Sequence, residues 1–145
     1  MKKKKSNATQ KMEWLDFLWS TLIKAKAGFK SELSGKTNDL QSHHLAQKPN
    51  KKLRYMPENG ICVTSGEHKF GFHGGNIEAY KEKAKIAKGY DVYESLLPYV
   101  HNKEKFNAIE IEEMLLKELK PYKMEIMTLL KTGNKSFYSR LLDLI

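Results

Sequence analysis

The sequence predicts an α+β fold in which two short antiparallel strands and a helix form a small unit embedded in several α-helices. Three observations carry that expectation. Residues 11–28 and the chain beyond residue 76 show helical periodicity. Between them lie two short β-type runs, "LQSHHLAQ" and "GICV". Two such runs are too few for a sheet-based domain, so helices on either side must cover them.

The elements follow in order. Residues 1–10 open with "MKKKK" and read as a disordered basic tail. The Lys run resembles the start of a signal peptide. The next segment has no continuous apolar region and carries Glu13 and Asp16, so the expectation is a cytoplasmic chain. Within 11–28, Trp14, Leu15, Leu18 and Leu22 form an amphipathic stripe, widened by Phe17, Trp19 and Ile23. "SGKTND" is a turn, "LQSHHLAQ" a strand, "KPNKKLRYMPEN" a basic loop with two prolines, and "GICV" the return strand. "TSGEHKFGFH" starts a helix that "GG" ends. Beyond it, Asn76 can cap a helix over 77–88 that stops at Gly89. Asp91/Glu94 and Asn107/Glu110 have capping-box spacing. Pro121 fits the first turn of a later helix, and "SFYSRLLDLI" ends the chain as a short one. Residues 11–145 are expected to form one domain, with 76–145 as its helical C-terminal region.

Charge narrows the partners. The chain carries a formal +9. Residues 1–58 hold 13 Lys/Arg against 5 Asp/Glu, a net of +8, and residues 59–145 hold 13 against 12, a net of +1. A positive field concentrated in one part points to a polyanion such as nucleic acid. No apolar run approaches the roughly 18 residues that span a bilayer, so no membrane partner is expected. Cys62 is the single cysteine, which excludes an intrachain disulfide and a multi-cysteine zinc site.

Four of the five histidines fall between Leu40 and Gly75. Hydrolysis of a phosphodiester needs a base for water, and imidazole is tuned for that near neutral pH. It also gains from a divalent cation that stabilises charge on phosphate and leaving oxygen. On a strand, His43 and His44 point to opposite faces, so one can bind metal while the other meets substrate. The following helix carries His68, and Asn59 precedes the return strand with an amide able to hold loop backbone.

"LQSHH", then "NGICV", then His68 nine residues after Asn59 resembles the HNH motif of the ββα-metal endonucleases, in particular the phage-type HNH endonucleases. The resemblance covers about residues 38–75. It implies a metal-dependent DNA endonuclease that leaves 5′-phosphate and 3′-hydroxyl ends. His43 and His68 would be ligands to one divalent ion, Mg²⁺ in the first instance, with Mn²⁺, Ni²⁺ or Zn²⁺ as alternatives. His44 would be the general base and Asn59 would orient it. The family often places a further ligand four residues after His68. Here that position is Phe72, and the histidine is His73. On a regular helix an i, i+5 pair lies roughly 140° apart, so His73 can share the ion only if the helix loosens near Gly71. Paired cysteines that hold a structural zinc in many relatives are missing, so no structural zinc is expected. Packing of Phe29, Leu33, Ile61, Val63 and Phe70 should hold the unit together instead.

Each residue also has a plainer reading. Adjacent histidines are often surface residues, Asn59-Gly60 alone is a turn signal, and His73 could cap a helix. Lys48, Lys51, Lys52 and Arg54 could be a solvated loop. They are read as DNA contacts, Arg54 above all because a guanidinium can clamp phosphate with two bonds. His101 is read as a surface residue. A non-catalytic nucleic-acid-binding module with the same fold, or an RNA-directed nuclease, would carry the same pattern.

Overall fold

The first helix starts earlier than its apolar stripe announces. Ser6 Oγ accepts a hydrogen bond from the Thr9 amide at 3.2 Å, which caps α1 (Asn7–Lys26) and draws residues 7–10 out of the expected tail. In the computed structural model, which describes residues 1–46, 50–102, 105–129 and 135–145, the order then runs β1 (Leu40–His44), α2 (Lys51–Tyr55), β2 (Gly60–Thr64), a π-helical turn (Glu67–Phe72), α3 (Ile77–Lys88), α4 (Val92–Val100), α5 (Ala108–Leu119), α6 (Lys123–Thr128) and α7 (Lys135–Leu144). This is an α+β arrangement of helices around a two-stranded sheet. Among the described residues no helix is long and apolar enough to cross a membrane.

The strands pair antiparallel, with His43 opposite Ile61 and His44 opposite Gly60. Alternation then sorts the side chains. Ile61 and Val63 face one apolar cluster with Leu45, Leu53, Phe72, Ala84, Val92 and Leu96. Cys62 faces the other, built from α1, α5, α6 and α7 around Trp14, Leu18, Leu22, Leu115 and Leu141. The sheet is therefore covered on both faces, which a unit this small requires.

Several local expectations are corrected by packing. The basic stretch after β1 is not loop throughout. Asn50 Oδ1 accepts from the Leu53 amide at 2.7 Å, and buried Leu53 and Tyr55 anchor the turn as α2. Strand β1 stops at His44, because the Ala46 amide donates to Asn59 Oδ1 at 2.7 Å instead of continuing the ladder. Gly60 is extended strand, not turn. A Cβ there would lie 2.4 Å from Ile23 and 2.8 Å from Trp19, so glycine lets α1 approach the sheet. Phe70 is 70% exposed, and Phe72 takes the expected core place at 3%. The wide π turn shifts the phase of the segment and explains the exchange.

A polar clasp joins the segments on either side of the hairpin. Ser31 Oγ donates to Glu67 at 2.7 Å, and the Thr64 amide donates to the same carboxylate at 2.9 Å. The Cys62 amide donates to Glu32 Oε2, and Lys88 Nζ to Glu32 Oε1, each at 2.8 Å.

Asp91 caps α4 through the Glu94 amide, and Asn107 caps α5 through Ile109 and Glu110, as their spacing predicts. Gly89 ends α3 with φ +80°. Pro121 sits in a short 3₁₀ turn leading into α6.

Candidate metal centre

Strand alternation sends His43 and His44 to opposite faces, and each meets a different environment. His43 is 9% exposed. Its ring stacks on Phe72 at 4.2 Å and meets His68 and His73 edge-on at 4.9 and 5.2 Å. Burial, reinforced by His68, His73 and His44, pushes its pKa down to about 3. The imidazole therefore stays neutral, as a metal ligand must.

His68 and His73 come together through the π turn. The His73 amide donates to the His68 carbonyl at 3.1 Å, an i→i+5 bond that makes five residues complete about one turn. The two Nε2 atoms then lie 3.0 Å apart, despite the spacing that a regular α-helix would spread. Gly71 permits the wide turn to pack. It is buried, and a Cβ on it would sit 2.3 Å from the Tyr80 ring. Burial and the neighbouring His73 also lower the pKa of His68.

One ligand-capable nitrogen from each of His43, His68 and His73 lies within 4.8 Å of the others. These three residues are close enough to hold a metal ion. In a tetrahedral site with bonds of about 2.0–2.1 Å, nitrogens stand about 3.4 Å apart. The His68 and His73 nitrogens are already near that spacing at 3.0 Å, and no pair in the set exceeds 4.8 Å. Gln41 supports the set from outside. Its Oε1 accepts from His68 Nδ1 at 2.6 Å, which leaves the Nε2 lone pair aimed at the cluster.

His44 is held on the other face. Its ring lies parallel to the Trp19 indole, 3.9 Å between centroids and 5° between planes. His44 Nε2 donates to the Arg54 carbonyl at 2.9 Å. A carbonyl only accepts, so Nε2 carries the proton and Nδ1 is the basic nitrogen of the neutral ring. Asn59, fully buried, secures this corner. Besides Ala46, its Nδ2 donates to the Leu53 carbonyl at 3.0 Å, and its own carbonyl accepts from the Leu45 amide at 3.0 Å. Asn59 therefore ties the chain just after His44 to the end of α2 that carries Arg54.

Both histidine faces open on one cleft of about 360 Å³, which Asp16, Trp19, Ser42 and Arg54 also line. Arg54 points into it in a two-pronged bond to Asp16, with Nε and Nη2 at 2.8 and 2.6 Å from the two carboxylate oxygens. Lys51 is exposed on α2, its Nζ 4.9 Å over the Phe106 ring, and Lys52 is half-buried beside it. Lys48 lies outside the described residues. His101 is exposed at the end of α4.

Sequence reasoning passed over Gln41, Asp16 and Trp19. Two signals were present. Gln41 shares the strand face of His43 by its i, i+2 spacing. Asp16 is a charged residue inside an otherwise apolar helical stripe. No family model, curated protein or solved structure matches this chain.

Proposed function

We propose that the chain is a metal-dependent endonuclease of the HNH type acting on DNA, with the ion held by His43, His68 and His73 and His44 as general base. The observation that carries the reading is the separation of the two adjacent histidines. One joins a three-imidazole cluster and is itself kept neutral by burial. The other keeps a basic Nδ1, set by its Nε2 bond, at the edge of the same cleft. Three protein ligands with one side open is the usual form of a hydrolytic site, as distinct from a closed structural one.

In this reading His44 Nδ1 takes a proton from water, and the water oxygen attacks the phosphorus in line with the departing 3′ oxygen. When bound, the ion supplies positive charge that stabilises the developing charge on phosphate and leaving oxygen. An all-imidazole set weights the choice of ion toward Zn²⁺ or Ni²⁺ rather than the Mg²⁺ first expected, because Mg²⁺ and Mn²⁺ favour oxygen ligands. Asn59 holds the backbone that follows the base and the α2 backbone beside it. Arg54, which lines the cleft, would meet phosphate oxygens if Asp16 shares its guanidinium, and Lys51 and Lys52 would add positive charge from α2.

The test is cleavage of supercoiled plasmid in each of Mg²⁺, Mn²⁺, Ni²⁺ and Zn²⁺, comparing wild type with His44→Ala. The expected outcome is nicking or linearisation by wild type and a loss of roughly 10²–10⁴-fold in the variant. Wild type that binds DNA and cuts in no metal would leave a binding module instead. Preference for labelled RNA in the same assay would reassign the substrate.

A further inference from the structure

The histidine motif accounts for what His44 does in the proposed reaction but not for what keeps its ring still. A strand-end imidazole facing a cleft can rotate about two bonds, and misplacement of a base by about 1 Å can cost on the order of 100-fold in rate. Two constraints on this ring come from α1, a helix that ends at Lys26, upstream of the motif.

Trp19 provides the first. Its indole covers the His44 ring almost face to face, and the indole is itself fixed. Trp19 Nε1 donates to the Met56 carbonyl at 3.0 Å, and the side chain is 3% exposed. The missing Cβ of Gly60, directly across the ladder from His44, makes room for it. Asp16 provides the second. It stands one helical turn before Trp19 on the same face of α1. Its carboxylate grips the Arg54 guanidinium by both prongs, and the carbonyl of that residue receives His44 Nε2. A side chain held at its tip restrains its own backbone, so Asp16 steadies the acceptor that sets the tautomer of His44.

We propose that α1 completes the active site by supplying two positioning residues for His44: Trp19, through its ring stack, and Asp16, through Arg54. The inference rests on the reading of His44 as the base. It extends the functional unit beyond the recognised segment, which would be catalytically incomplete alone.

The experiment compares Trp19→Phe, Trp19→Leu and Asp16→Asn in the full chain, with circular dichroism and Co²⁺ binding at the three-histidine cluster as controls on folding and on the metal site. Steady-state cleavage of a DNA duplex should show kcat lowered by about 10- to 100-fold in Trp19→Leu, with KM within about twofold. Trp19→Phe keeps a ring against His44 and should recover most of the loss, and Asp16→Asn should fall between them. In a His44→Ala background Trp19→Leu should have no further effect, since two residues acting through one step are not additive. An equal loss of kcat in that background, or a Phe variant as impaired as Leu with Co²⁺ binding intact, overturns the proposal.

Nitrogen-15 spectra of the His44 ring answer the same question without cleavage. Wild type and Trp19→Phe should show the Nε2–H tautomer, and Trp19→Leu a mixture of both. A Trp19→Leu protein that retains the single tautomer contradicts positioning. The expected spectra from a wild type that cuts nothing would support positioning and remove the nuclease reading instead.

Discussion

The two faces of one short hairpin do opposite things to two adjacent histidines. On the face that meets the π turn, His43 is buried on Phe72, kept neutral and clustered with two other imidazoles. On the face that meets α1, His44 is stacked on an indole and its Nε2 donates to a carbonyl. The sequence difference between these fates is a single step along a strand. Pleat alternation is therefore enough to give two adjacent imidazoles unlike surroundings, provided each face has its own helix packed against it.

The comparison breaks most sharply if the faces can be emptied one at a time. His43→Ala should weaken Zn²⁺ or Ni²⁺ binding by at least about 100-fold, roughly 3 kcal/mol, in calorimetry, while His44→Ala leaves affinity unchanged. Equal losses in both variants would mean the faces are not distinct.

Asn59 serves the junction between them. Asn59→Ala strips three backbone groups of a buried partner. Denaturant melts should report a loss of about 2–4 kcal/mol, and a near-neutral variant would show that the corner is held by something else.

Gly60→Ala challenges only the α1 face. Its Cβ would strike Ile23 and Trp19, which should cost about 1–3 kcal/mol of stability. Metal affinity should survive, because the His43 face is untouched.

Gln41→Ala sharpens the other side. Losing the acceptor for His68 Nδ1 should lower metal affinity about tenfold, or about 1.4 kcal/mol, with no change in unfolding beyond a few tenths of a kcal/mol.

A further test is a change of pH slope in the metal-free protein. His43 titrates at about 3 in the fold against 6.5 for an ordinary histidine. Between those values the unfolded chain takes up a proton that the folded one refuses. Stability attributable to this site is therefore complete above 6.5 and declines as pH falls toward 3. His43→Leu should flatten that part of the Tm-against-pH curve, and an unchanged slope would place the acid sensitivity elsewhere.

Much of this arrangement was legible in the sequence because it rests on local rules. The strand face of each histidine followed from alternation. The helix caps at Asp91 and Asn107 followed from three-residue spacing. The question over His73 also followed from local geometry, since the six-residue frame from His68 to His73 does not suit an α-helix. The resolution was not local. A π turn is stable here because Gly71 lets Tyr80 close against it, and that contact crosses between elements. The same holds for Trp19, Asp16 and Gln41. Their roles depend on which side chain lies across a helix–sheet contact or a turn, and no short pattern encodes that. Phe70, expected in the core, is exposed and Phe72 is buried instead for the same reason, because the phase of a π turn differs from that of an α-helix.

The central claim is that His43, His68 and His73 form one metal site from which His44 is excluded. Titration of Co²⁺ into the wild-type chain, followed by its visible absorption, tests this most directly. A single tetrahedral ion per chain is expected, unchanged in His44→Ala and absent in His43→Ala. Absence of a bound ion in wild type, or loss of the signal in His44→Ala, would contradict the account.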